Sequence, residues 1–192
     1  DEFQEECDDI LEGVGETKKY SERIQQSLSS LKDSDILLKS NENGLKIHSP
    51  KYFKLLENLE NPDNLGLNLI YTQFRTVEGI GILKLILEAN GYAEFKIKKE
   101  KNTYVLDIDK DDYNKPKFAE FTGDKEMTSV LLDIFNNQMD NIPKEILKDL
   151  DKIHSKQTEI NNGNLRGSLI KVMMITQSGS EGISLKNVRQ VH

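Results

Sequence analysis

The sequence has no tryptophan, one cysteine (Cys7) and only four prolines in 192 residues. A single cysteine excludes an internal disulfide and a cysteine-built metal site, and fits a reducing compartment. No apolar run approaches the roughly 18 residues that a membrane-crossing helix needs. The opening "DEFQEECDD" is acidic where a signal or transit peptide would be basic, so an intracellular setting is expected. A first residue other than methionine reads as a fragment or processed product. Apolar residues make up 36% and charged residues 31%, with a formal net charge of −7. That balance argues against a surface that is basic overall, and leaves room for a local phosphate-binding stripe.

Three histidines, His48, His154 and His192, stand far apart without a ligand pattern and read as surface residues rather than a metal site. The run "DIDKDD" at 107–112 alternates carboxylates but lacks the glycine and distal glutamate of a calcium loop. It reads as a solvated turn.

Residues 1–45 are polar, with Ile24, Leu28 and Leu31 at helical spacing in "YSERIQQSLSSLKD". One amphipathic helix is predicted there, in a linker or appendage that leans on another domain. Ser49 and Pro50 supply an N-cap and a first-turn proline to a helix whose face is Phe53, Leu56 and Leu59. After the turn "NPDNLG", the run "LNLIYTQF" predicts a strand buried on both sides. A helix over "VEGIGILKLILEAN" follows, with Val77, Ile80, Leu83 and Leu87 inward and Gly91 ending it.

"EFKIKK" and "TYVLDI" predict a two-stranded insertion. Its Lys96, Lys98, Lys99 and Lys101 either face phosphates or protect a solvated edge, the second being preferred. "KFAEFTG" predicts another strand and "KEMTSVLLDIFNNQMD" a helix with Val130, Ile134 and Phe135 inward. Residues 140–167 hold a short helix after Pro143 and the polar "NNGNLRGS". "LIKVMMI" is a last buried strand. Strands and helices in alternation predict a mostly parallel sheet covered on both faces.

Ligands of such sheets collect where the carboxyl ends of the strands feed their loops. Three loops qualify, "TQFRTVEG", "TGDKE" and "TQSGSEGIS", and all should share one edge. The third is the richest, since its glycines admit a close ligand and its hydroxyls and amides can bind phosphate. An ordinary tight turn is the plain alternative.

With that loop a family resemblance enters. "KVMMITQSGSEGISLKNVRQVH" resembles motif V of superfamily 2 helicases, in the second RecA-like domain. "LNLIYTQFRTVEGIGILKLILEANGY" resembles motif IV, "KFAEFTGDKE" the next strand with its Thr-Gly, and "SPKYFKLLENLE" the domain's opening helix in the chromatin-remodeller-like branch. The wording is nearest to large DNA virus helicases related to poxvirus early transcription factors and nucleoside triphosphatases. The resemblance covers residues 45–192, with insertions near 93–116 and 140–166. It implies an α/β, RecA-like three-layer domain with an N-terminal helical segment and a small β insertion, the domain proper running over 46–192.

By this resemblance Thr176, Gln177, Thr122, Gly123, Thr72, Gln73 and Arg75 would touch nucleic acid, DNA in preference to RNA. Gly182, Ser184 and Glu181 would approach the nucleotide, Ser184 standing where many relatives carry an Asp. The implied cofactors are ATP and Mg²⁺, bound mainly by a first RecA-like domain. No G-x-x-x-x-G-K-[ST] phosphate loop occurs in the sequence. The arginine-finger motif is expected beyond His192, so this piece alone should be inert as an ATPase; no residue of its own is assigned as catalytic. The resemblance implies a cytoplasmic or nuclear protein, virion-associated if viral. Two other readings are a helicase-like interaction module without catalysis and a free-standing α/β enzyme for a phosphorylated ligand. For the latter, no nucleophile and base stand together at the strand ends.

Overall fold

The computed structural model describes residues 20–74, 77–101, 103–121, 125–154, 163–177 and 183–192. Helix α1 (Tyr20–Lys32) precedes two short helices, α2 (Asp35–Leu38) and α3 (Leu45–His48), and then α4 (Pro50–Glu60). Strand β1 (Leu67–Thr72) leads through a π-turn (Val77–Gly81) into α5 (Ile82–Ala89). There follow β2 (Ala93–Glu94), β3 (Ile97–Glu100), β4 (Thr103–Leu106), β5 (Lys117–Glu120), α6 (Lys125–Phe135), α7 (Lys144–His154), β6 (Val172–Thr176) and β7 (Val188–Val191).

The main sheet has the order β2-β5-β6-β1-β7, and every pairing in it is parallel. Because side chains alternate along a strand, Ile70, Val172, Met174 and Phe118 point to one face, where they pack with Leu56, Leu59, Leu83, Ile86 and Leu87 of α4 and α5. Met173, Ile175 and Ala119 point to the other, against Leu131, Ile134 and Phe135 of α6 and Ile146 and Leu150 of α7. The result is the three-layer α/β arrangement expected of a RecA-like domain, with two cores separated by one sheet.

Gly91 ends α5 as the sequence predicts, whereas α6 stops at Phe135, short of the predicted "NNQMD". Gly91 takes a φ of +87°, and the Tyr92 and Gly91 amides bond back to the Leu87 and Glu88 carbonyls at 3.0 and 3.2 Å. Asn137, at φ +60°, closes α6 in the same way, with the Gln138 amide 2.7 Å from the Asp133 carbonyl.

Several expectations need correction. Ser49 occupies the N-cap of α4 but makes no side-chain capping bond, so Pro50 at the first turn is the operative start signal. The helix over "VEGIGILKLILEAN" is broken at Gly79 and regular only from Ile82. Residues 35–45 are not set apart from the domain. Leu38 and Leu45 are buried in the α4/α5 core, Lys39 Nζ donates to the Ala89 carbonyl at 2.7 Å, and Asn90 Nδ2 donates to the Leu38 carbonyl at 2.8 Å. Within the 93–116 insertion, Ala93 and Glu94 pair with Lys117 and Phe118 and extend the main sheet; only β3 and β4 form the separate ribbon.

The ribbon lysines are engaged with carboxylates. Lys96 pairs with Glu94 at 2.6 Å, Lys98 with Glu100 and Asp107 at 3.1 Å each, and Lys99 with Glu126 at 3.4 Å. The protective reading of these lysines therefore fits better than the phosphate-facing one. The polar region after α7 conceals a hub: fully buried Asn164 accepts from the Leu169 and Ile170 amides and donates to the Phe135 and Ile170 carbonyls. This one side chain ties the approach to β6 onto the end of α6.

Candidate nucleic-acid and nucleotide site

Strands β1, β6 and β5 are neighbours running in the same direction, so their carboxyl ends, and the loops that leave them, lie along one edge. Thr72 and Thr176 are register partners across β1 and β6 at that edge. The chain leaves β1 toward the α4/α5 face. Beyond the β6 loop, Ile183 and Leu185 pack on the opposite face, against the α6/α7 core. Adjacent parallel strands whose connections diverge open a crevice between them, the usual position for a ligand in such a sheet.

On the β1 side, the Thr72 hydroxyl accepts from the Phe74 amide at 3.3 Å and lies 3.4 Å from its carbonyl. The same Phe74 carbonyl accepts from the Ile80 amide at 3.3 Å. A Cβ added at Gly79 would overlap that carbonyl and come within 2.9 Å of Thr72 Oγ1. The absent side chain therefore lets the loop after β1 fold flat onto the start of its helix. Thr72 is half-buried, and Gln73 and Phe74 are exposed.

On the β6 side, Thr176 is 1% exposed, whereas Gln177 beside it is exposed. At the end of β6 the threonine is therefore buried and the glutamine next to it open to solvent. Past the loop, Asn136 at the end of α6 receives the Lys186 amide at 2.6 Å and donates to the Ser184 carbonyl at 2.8 Å. This fixes the backbone at 184–186 and leaves the Ser184 side chain exposed. At the neighbouring strand end, His192 Nε2 lies 3.3 Å from Asn68 Oδ1, and burial holds the imidazole below its ordinary pKa.

Of the residues assigned from sequence, Thr72, Gln73, Thr176 and Gln177 are brought together at the adjacent ends of β1 and β6, and the Ser184 backbone is held by Asn136 at the end of α6. Arg75, Thr122, Gly123, Glu181 and Gly182 lie outside the described residues. Asn136 and Phe74 were not singled out from the sequence. An asparagine just past a helix and a phenylalanine at a strand end carry no signal by themselves; only their partners reveal a role. Among the described residues no cluster of three or more His, Cys, Asp or Glu side chains is placed to hold a metal ion. No helix of the described residues is long and apolar enough to cross a membrane.

Comparison with known proteins points to one group. The chain is 30% identical over 184 residues to the termination factor NPH-I homolog of African swine fever virus (isolate Tick/Malawi/Lil 20-1/1983), covering 93% of this chain and 23% of that protein. The homolog from isolate Warthog/Namibia/Wart80/1980 matches to the same extent. A putative ATP-dependent RNA helicase, L377, of Acanthamoeba polyphaga mimivirus is 24% identical over 200 residues, covering 91% of this chain and 16% of that protein. The chain thus spans less than a quarter of the length of these relatives. No protein-family model matches it, and no solved structure does. The chain is related to helicase-type proteins of large DNA viruses.

Proposed function

We propose that this chain is the second RecA-like lobe of a superfamily 2, ATP-dependent nucleic-acid translocase or helicase. It would form one wall of the nucleic-acid groove and part of the ATP cleft. The observation that carries the reading is the pairing of Thr72 and Thr176 at the ends of β1 and β6, adjacent parallel strands beyond which Ile80 and Ile183 pack on opposite faces of the sheet. The relatives' names support the motor class.

In this reading the exposed Gln73 and Gln177 and the half-buried Thr72 contact the strand's phosphates. Thr176 supports them from below. Arg75, Thr122 and Gly123 are assigned to the same strand, and DNA is taken ahead of RNA, on the family resemblance alone. Ser184, with Glu181 and Gly182, meets the nucleotide. The exposed Ser184 hydroxyl on a backbone clamped by Asn136 suits a hydrogen bond to a ribose. ATP phosphates and Mg²⁺ are assigned to a first RecA-like domain, since this sequence has no phosphate loop. Alone, the chain would not hydrolyse ATP.

The test is nucleic-acid-stimulated ATP hydrolysis by the full-length protein beside its Gln177→Ala variant. Because Gln177 is exposed, folding should survive. Loss of one charge-assisted contact should lower stimulated turnover at limiting nucleic acid by about tenfold. Unchanged stimulation would remove the β6 loop from the groove.

A further inference from the structure

Beside the crevice, a cavity of about 610 Å³ lies between α4 and the carboxyl end of β1. Ile70 and Leu83 form its apolar floor, and Phe74 stands on its wall. Lys51 and Asn58 line it from α4, seven residues and two helical turns apart on one face. This volume falls in the range of small-ligand sites.

Phe74 is the distinctive element. The residue is 56% exposed, yet its backbone is bonded on both sides, to Thr72 and to Ile80. An exposed aromatic ring on a fixed backbone has little conformational freedom to lose when a ligand stacks on it. Lys51 is exposed and makes no ion pair among the described residues. A planar ring with polar edges and an attached phosphate would meet the aromatic wall, the Asn58 amide and the Lys51 ammonium together.

We propose that this cavity receives an unstacked base of the bound strand, with Phe74 as its stacking face, Asn58 at the base edge and Lys51 on the adjoining phosphate. This rests on the strand lying along the carboxyl edge of the sheet. A motor that grips only phosphates would be indifferent to bases; this subsite gives one nucleotide per binding register a second anchor. Stacking tolerates all four bases, because each has a π-face.

The experiment compares binding of a single-stranded oligonucleotide and an abasic strand of equal length to the full-length protein, by fluorescence anisotropy. The expected result is a preference of about tenfold for the base-bearing strand. Phe74→Ala should abolish that preference while leaving the abasic affinity unchanged, and Phe74→Trp should keep it. Equal binding of both strands by the unmodified protein would overturn the base site and leave the groove assignment standing. So would an equal loss for both strands in Phe74→Ala. Failure of both strands to bind would overturn the groove assignment and the base site with it. Micromolar binding of free adenosine monophosphate, lost in Phe74→Ala and unaccompanied by any base preference in the strands, would reassign the cavity to a free nucleotide.

Discussion

Thr72 and Thr176 face each other across two hydrogen-bonded parallel strands, and they are not equivalent. Thr72 is half-buried and uses its hydroxyl to hold the turn to Phe74; Thr176 is 1% exposed. One shapes the surface that a ligand would meet, and the other lies under it. Replacing each with valine preserves volume and removes the hydroxyl. Thr72→Val should therefore weaken nucleic-acid affinity of the full-length protein more than Thr176→Val, by several-fold. Anisotropy titrations of the two variants check the ranking, and the reverse order would mean that the buried hydroxyl reaches the ligand after a rearrangement.

Gly79 gives a sharper handle on the same loop. Its neighbours leave no room for a Cβ, and the nearest atoms are backbone atoms of Phe74, which cannot rotate aside as a side-chain tip would. Gly79→Ala must push the loop after β1 away from the start of α5. A cost of about 1–3 kcal/mol is expected from such overpacking. Urea denaturation should show a lower midpoint with an unchanged slope, and nucleic-acid affinity should fall with it. A variant as stable as the parent would mean that the loop moves freely.

How much of this was legible in sequence depended on whether a residue's role lay in its own chemistry or in its partners. The apolar run "VMMI" marked β6, a strand buried along its whole length, and the mainly apolar "LNLIY" marked β1, although β1 is not covered on both faces throughout: Leu69 is half-buried and Tyr71 is 44% exposed. Gly91 marked a helix end because a left-handed position favours glycine. By contrast, Leu38 and Leu45 sit in a stretch so polar that two leucines carried no periodic signal, and they are buried in the cluster that α4, α5 and one face of the sheet build. Ala93–Glu94 is too short for any pattern. Asn164 looks like a loop asparagine, since nothing local separates a solvated amide from one that satisfies four buried backbone groups. At the candidate site, the threonines and glutamines were assigned through motif order, while Asn136 became visible only through its bonds.

Lys117 connects β5 to pH. It is fully buried at the start of the strand, and its ammonium donates to the Tyr113 and Lys115 carbonyls at 2.7 and 2.9 Å, with no ion pair to a carboxylate among the described residues. Burial, partly opposed by Asp112, pushes its pKa down from 10.5 to about 8. Below pH 8 both folded and unfolded chains hold this proton, so the group carries its full penalty. Between about 8 and 10.5 the unfolded chain binds more of it, and stability must rise with pH through that window from this group. The size is up to about 3 kcal/mol. Lys117→Met should flatten the dependence of unfolding free energy on pH between 8 and 10.5. An identical slope in the variant would show that the lysine keeps an ordinary pKa.

Asn136 bears on how the segment around Ser184 is held. Its amide closes two bonds at once, accepting from the Lys186 amide at 2.6 Å and donating to the Ser184 carbonyl at 2.8 Å. The residue itself is only 7% exposed and belongs to the rigid end of α6. Asn136→Ala would leave both backbone groups without their partner, at a cost of about 1–3 kcal/mol. Because the surrounding apolar contacts of Ile183 and Leu185 remain, the loss should appear first as local opening rather than global unfolding. Hydrogen exchange of the Lys186 amide should accelerate by about tenfold or more, while amides in β1 and β6 keep their protection. If Lys186 exchanges no faster, the apolar contacts alone hold the segment. If β1 and β6 accelerate equally, Asn136 supports the whole fold, and the loop has no stability of its own to tune.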